Sequence, residues 1–196
     1  MNADLLIKNL SRSITLDQSE IDYFLSYIEP VNFKRKELVQ TAGDLCRHQN
    51  FIVKGCLRTF YIDKKGVEHI LAFAIEDMWM TDLYSFLTKT PATLCVDALE
   101  NSEILRIERS GLEKVCNKIP KFERLFRLIL QRAFISQQER LMQHLSSTAE
   151  QRYIQFRKSF PGIEQRVPQK QIASFLGITP VFLSMLRRKT ARYLLN

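Results

Sequence analysis

Apolar positions change their spacing twice along this 196-residue chain. Over residues 14–29, Ile14, Leu16, Ile21, Phe24, Leu25 and Ile28 fall at helical intervals, and Thr15 or Asp17 can cap the start. From residue 31 to 108 the apolar residues come in short runs at 31–33, 37–40, 51–53, 57–62, 69–75, 94–99 and 104–107. Turn signals separate them, among them Ala42-Gly43-Asp44, Lys54-Gly55-Cys56 and Asp63-Lys64-Lys65-Gly66. A turn about every ten residues predicts a small antiparallel barrel or jelly roll. Residues 82–88 read as a short helix ending before Pro91.

After Ser110 the period becomes helical. Phe122, Leu125, Phe126, Ile129, Leu130, Ala133, Phe134, Leu141 and Leu145 lie on one stripe, which predicts a helix of about 25 residues beginning near Pro120. Such a helix packs along the β domain, pairs with a second copy, or does both. Phe122, Leu125, Phe126, Ile129 and Ala133 are the candidate dimer face. Ser147-Thr148-Ala149-Glu150 fits a capping box, in which a hydroxyl caps the next helix and the carboxylate returns to the cap N–H. That helix presents Tyr153, Ile154 and Phe156 and stops near Phe160-Pro161-Gly162. The expected class is α+β, with boundaries at 1–119, 120–146 and 147–196.

Composition is that of an ordinary globular chain, with 45% apolar and 26% charged residues. No apolar run approaches 18 residues, so no transmembrane helix or membrane partner is expected, and the first ten residues, with Asp4 and Lys8, lack a signal-peptide core. Cys46, Cys56, Cys95 and Cys116 form no C-x-x-C pair, and reduced, buried thiols in the cytoplasm are expected. His48, His69 and His144 share no metal-ligand spacing. Neither a metal, haem or iron–sulfur cofactor nor an enzyme on a cupin-like barrel has a signature here.

Charge is unevenly placed. The formal net charge is +8. Residues 148–196 hold nine Lys/Arg against Glu150 and Glu164, a surplus of seven, while residues 1–147 hold 20 against 19 acids. A basic end suits phosphate, an anionic membrane or an acidic partner. The basic end contains Pro168–Lys189, which reads PQKQIASFLGITPVFLSMLRRK. Residues 169–176 and 179–188 read as two helices joined at Gly177-Ile178. Ala173 is small where the helices cross closely, and Gly177 can take the left-handed conformation a tight turn needs. Ile172, Leu176, Ile178, Leu183 and Leu186 supply a small core, Thr179 a cap, and Pro180 a first-turn proline. The pattern is a helix–turn–helix, whose second helix would enter the DNA major groove. Lys170, Arg187, Arg188 and Lys189 are the phosphate candidates, with Gln169 or Gln171 as hydrogen-bond donors.

The order of a β-rich domain, a long helix and a helix–turn–helix resembles the Crp/Fnr family of bacterial transcription regulators over nearly the whole length. The local marks are Ala42-Gly43-Asp44, Phe51-Ile52-Val53-Lys54-Gly55, Gly66, residues 79–86, Pro91, Ala98-Leu99-Glu100 and the final helix–turn–helix. The resemblance implies a cyclic-nucleotide-binding-type β roll, a dimerising helix and a winged helix domain on palindromic DNA. Its implied partners are double-stranded DNA, a second copy and RNA polymerase. It also implies that a change in the β domain reaches two recognition helices spaced about one DNA turn, roughly 34 Å.

The departures from that family pattern are specific. Cyclic-AMP binders carry Gly-Glu-Leu and then Arg-Ser/Thr-Ala; here the matching stretches are Thr81-Asp82-Leu83 and Ala92-Thr93-Leu94. Ala92 removes the charge that would neutralise a cyclic phosphate, so tight cyclic-nucleotide binding is not expected. Phe73, Trp79, Asp82, Tyr84, Ser85, Ala92 and Thr93 are the candidates for a pocket with another effector, beside Cys95. In the second helix, Val181 and Met185 stand where many members have Glu and Arg. Base readout would fall to Thr179, Ser184 and Arg188, with thymine methyls against Val181 or Met185, giving a degenerate or A·T-rich site. The short stretch after the second helix suggests an abbreviated wing. A rival reading is a small-molecule sensor whose helix–turn–helix has lost specific DNA binding.

Overall fold

The computed structural model describes residues 3–193, and side chains as far as Lys189. Two short helices open the chain, α1 (Asp4–Ser11) and α2 (Gln18–Leu25). Eight strands follow: β1 (Ile28–Phe33), β2 (Leu38–Gln40), β3 (His48–Lys54), β4 (Leu57–Ile62), β5 (Glu68–Ala74), β6 (Trp79–Met80), β7 (Cys95–Ala98) and β8 (Ser102–Glu108). Helix α3 (Leu83–Thr88) interrupts them after β6, and α4 (Arg109–Lys118), α5 (Lys121–Ser146), α6 (Ala149–Ser159), α7 (Gln169–Leu176) and α8 (Pro180–Tyr193) complete the chain. The strands form two four-stranded sheets, ordered β1-β8-β3-β6 and β2-β7-β4-β5. This is the α+β architecture expected from the sequence.

Some expectations shift. The helix expected over 14–29 is confined to α2, because Asp17 closes a capping box with Glu20, and Ile28 already pairs with Ile107. Helix α1 is an element beyond the sequence pattern described above; its Leu6 and Leu10, one turn apart, are both buried. Strand β6 is two residues long, too short to leave a periodic signal. Pro30 sits inside β1, which it can do because β1 is an edge strand needing no ladder donor on its free side.

The chain folds into two compact units. The first comprises residues up to Thr59 and Phe73–Phe134. On its helical side a core forms from Leu6, Leu10, Phe24, Phe51, Leu105, Ile107, Val115, Phe122 and Leu125. Phe24 stacks on Phe122 with ring centroids 4.7 Å apart, which seats the first turns of α5. Trp79 packs on Phe51, and its Nε1 donates to Asn9 Oδ1 on α1 at 3.2 Å. At the turn after β3, Gly55 has φ +109°, and a Cβ there would lie 2.7 Å from the Ser102 backbone, so no other residue fits. On the β4 and β7 strands, Arg58 and Asp97 form a buried two-pronged ion pair, Nε–Oδ1 2.7 Å and Nη2–Oδ2 2.9 Å.

The second unit comprises Phe60–Ala72 and the chain from Ile135 onward. The tip of the β4–β5 hairpin therefore belongs with the C-terminal helices. No helix among the described residues is long and apolar enough to cross a membrane.

Removing one partner of a buried ion pair strands the other charge. Asp97→Ala is expected to lower unfolding stability by about 3–5 kcal/mol in a denaturant titration.

Candidate nucleic-acid interface

The C-terminal unit is built from its caps inward. Ser147 N–H still bonds Gln143 O, closing α5, so the next helix starts one residue later than the sequence suggested. Thr148 Oγ1 accepts from Gln151 N at 3.3 Å, and Gln151 Oε1 accepts from Thr148 N at 2.9 Å. The expected box of Ser147 with Glu150 is thus corrected to Thr148 with Gln151, because a box needs its acceptor at the third helical position. This frees Glu150 to pair with Lys189 at 2.7 Å.

Tyr153, Phe156, Ile163, Ile172, Ala173, Leu176, Leu183 and Leu186 are buried in this unit. Helix α7 ends at Gly177, with φ +67° and ψ 37°, and Ile178 N–H bonds Ala173 O at 3.0 Å. That left-handed residue reverses the chain in the space a helix–turn–helix allows. Thr179 Oγ1 accepts from Phe182 N at 3.2 Å and caps α8, whose first residue is Pro180. The two helices and turn thus match the sequence reading, with α8 running on to Tyr193.

Helix α8 turns one stripe outward. Val181, Ser184, Met185 and Arg188 follow each other at i, i+3, i+4 and i+7. Val181 is 73% exposed and Met185 57%, Ser184 is half-buried and Arg188 exposed. Phe182, 41% exposed, flanks the stripe. Lys170 and Thr179 are also exposed.

The other candidates are already engaged within the unit. Arg187 Nε lies 3.4 Å from Glu164 Oε1, and Lys189 pairs with Glu150. Glu164 also holds Arg157 at 3.1 Å and accepts from the Tyr153 hydroxyl at 2.7 Å. Burial first, and this carboxylate second, push the Tyr153 phenol up to about 12. Gln169 Nε2 donates to Pro180 O at 3.3 Å, bridging α7 to the start of α8. Gln171 is half-buried, and its Oε1 has no hydrogen-bond partner. The side chain of Arg192, part of the basic end, and any wing after residue 193 lie outside the described residues.

One arrangement here left no mark in the sequence. Ser174 Oγ accepts from Ile70 N and donates to Glu68 O, both at 3.2 Å, so a serine on α7 takes the place of a neighbouring strand along β5. Arg140 on α5 donates to Ile70 O at 3.0 Å and to Phe175 O at 3.4 Å, with its guanidinium 4.1 Å from the Phe175 ring centre. Burial lowers the Arg140 pKa to about 10, which leaves it charged at neutral pH. Serines on helices are common, and only the tertiary contact distinguishes Ser174.

The candidates for an effector pocket in the first unit are engaged in separate local contacts. Asp82 is 2% exposed and caps α3, its Oδ1 accepting from Ser85 N, while Oδ2 has no partner. Ser85 Oγ is used twice, accepting from Cys46 N and donating to Thr90 O. Ala92 bonds Asp44 O through its N–H and Gly43 N through its carbonyl. Phe73 is buried, Trp79 is held against Phe51 and Asn9, and Tyr84 and Thr93 are exposed. An open cleft of about 430 Å³ lies elsewhere in this unit, lined by Ile14, Thr15, Leu16, Asp17, Lys121 and Arg124.

The candidate dimer residues also part company. Phe122 and Leu125 are buried in the chain's own core, Ile129 packs against it, Phe126 lies against Phe86, and Ala133 is half-buried. The large apolar residues that α5 leaves exposed come later: Phe134, Ile135, Leu141, Met142 and Leu145, with Phe134 at 70%, Leu141 at 60% and Leu145 at 75%.

Comparison with known proteins agrees with this architecture. The cyclic nucleotide-binding domain family profile matches residues 30–119. The chain is 27% identical over 199 aligned residues to the fumarate and nitrate reduction regulatory protein of Vibrio cholerae, covering 93% of this chain and 77% of that one. It is 25% identical to the regulatory protein HlyX of Actinobacillus pleuropneumoniae, covering 92% and 79%. The solved structure of FixK2 from Bradyrhizobium japonicum superposes with a TM-score of 0.73 at 15% identity, covering 85% of each chain.

Ser174→Ala would strand the amide of buried Ile70. A stranded buried group costs about 1–3 kcal/mol. Hydrogen exchange at the Ile70 amide should therefore accelerate about tenfold or more, while the Leu183 amide, held to Thr179 O within α8, stays protected.

Proposed function

The chain belongs to the Crp/Fnr family of transcription regulators, and we propose that it acts as a homodimeric, DNA-binding regulator that does not respond to cyclic AMP. The observation that carries this reading is the α7–Gly177–α8 unit, with its exposed outward stripe and with Lys170 and Arg188 exposed beside it. An α-helix fits the major groove, and lysine and arginine beside it meet the phosphates that flank the groove. RNA polymerase is the further partner this reading implies, and the cytoplasm is its place of action.

Dimerisation is supported by the second half of α5. Phe134, Leu141 and Leu145 recur at intervals of seven and four, the spacing of a helix seam, and all are exposed in the single chain. A second copy would cover them and set two α8 helices about one DNA turn apart.

Insensitivity to cyclic AMP is supported by the surroundings of Ala92. The side chain at the family's arginine position is an uncharged methyl, and the Ala92 N–H is taken by Asp44 O. Calorimetry with the full chain is expected to give no heat of binding at micromolar cyclic AMP or cyclic GMP; micromolar affinity would overturn this part of the reading.

The rival sensory reading draws on the same helix, since Arg187 and Lys189 are already paired with acids. A salt titration of duplex DNA binding separates the two. Two chains per duplex, neutralising roughly four phosphates through Lys170 and Arg188, should give a log–log salt slope of about −4. Lys170→Ala should flatten it by about one per chain. Absence of binding at low salt would favour the sensor.

A further inference from the structure

We propose that α8 reads thymine by its C5-methyl group, with Val181 and Met185 as the reading side chains; this rests on the DNA-binding function proposed above. In the major groove each base pair shows hydrogen-bond donors and acceptors, and its one apolar group is the thymine methyl. Val181 offers no hydrogen bond, and the Met185 thioether is only a weak acceptor. Both stand on the outward stripe of α8, one turn apart, and they are among the most exposed apolar side chains of the second unit. Two apolar groups exposed side by side on a helix have no use in water. Set against a methyl group they remove apolar surface from both partners.

The surroundings select nucleic acid as the occupant. Arg188 stands three residues beyond Met185 on the same stripe, Lys170 is exposed on α7, and after Glu164 the sequence has six Lys/Arg and no acid. A protein partner with a matching apolar surface would have to bring acidic groups for those cations, whereas duplex DNA supplies phosphates on both sides of its groove. Division of labour follows along the stripe. Val181 and Met185 recognise the methyl, Ser184 between them is left to hydrogen-bond a base edge, and Arg188 at the end of the stripe reaches backbone or guanine. Thymine would therefore be distinguished from cytosine by a methyl and not by a bidentate hydrogen bond, which predicts shallow discrimination at each position.

Deoxyuridine tests this directly, because it keeps every hydrogen-bonding group of thymine and lacks only the methyl. A mixed A/T duplex of about 30 base pairs is compared with the same duplex in which every thymine is replaced by deoxyuridine. Burial of one methyl corresponds to about fourfold in affinity, so a dimer touching one methyl per chain should lose roughly fifteenfold. The Val181→Ala, Met185→Ala double variant alters two exposed side chains and should keep its fold by circular dichroism. It should bind both duplexes alike, with an unchanged salt slope. Equal wild-type affinity for the two duplexes, with a steep salt slope retained, would overturn methyl readout and leave the DNA-binding function standing. A thymine preference that survives in the double variant would assign it to duplex shape and also overturn the inference. No binding to either duplex at low salt would overturn both.

Discussion

The seating of Phe122 on Phe24 is the contact on which the functional layout rests. It fixes the first turns of α5 in the core of the β-rich unit, where Phe122 is 1% exposed and Leu125 5%. Fully burying two such side chains contributes about 3–6 kcal/mol in all. The same helix then runs without a break to Ser146 and leads directly into the helices of the second unit. Phe122 and Leu125 in its first turns are buried, whereas Phe134, Leu141 and Leu145 further along are exposed. A 26-residue helix thus changes character along its length, with a buried start and an exposed apolar end.

The second unit follows a different economy. Its core is small, and much of its order comes from polar groups placed with care. Gly177 supplies a turn that an L side chain would strain, Thr179 and Thr148 cap the helices on either side of the unit's core, and Glu164 gathers Tyr153, Arg157 and Arg187. These acids temper the basic end. Of the cations at 170–189, Arg187 and Lys189 are engaged by Glu164 and Glu150, so the charge surplus read from the sequence overstates what a phosphate would meet at once. On DNA those pairs would have to exchange partners, and exposed ion pairs are weak enough to do so.

The hairpin tip of β4 and β5 joins the helix–turn–helix unit through Ser174 and Arg140. The strands that carry this tip also belong to the sheet containing Arg58 and Asp97. Within the second unit, α7 is therefore held to β5 by the hydrogen bonds of the Ser174 hydroxyl, and α5 by the Arg140 guanidinium.

The sequence alone determined the features that depend on local rules. Strand β4, helix α7, the glycine turn and the threonine cap of α8 were legible because turn geometry and capping act within four residues. The β roll was legible because its turns recur at regular spacing, and the charge division because composition suffices to count it. What only the tertiary structure decided depends on partners distant in sequence. Nothing in the sequence placed Trp79 against Phe51 and Asn9, or buried Phe73. The stripe on α5 could not be divided into buried and exposed parts, since periodicity records that a face is apolar and not what covers it. Ser174 carried no signal at all, because its partners lie more than a hundred residues away. The identity of a side chain fixes what it can bond to, and the fold decides which of those bonds is already made.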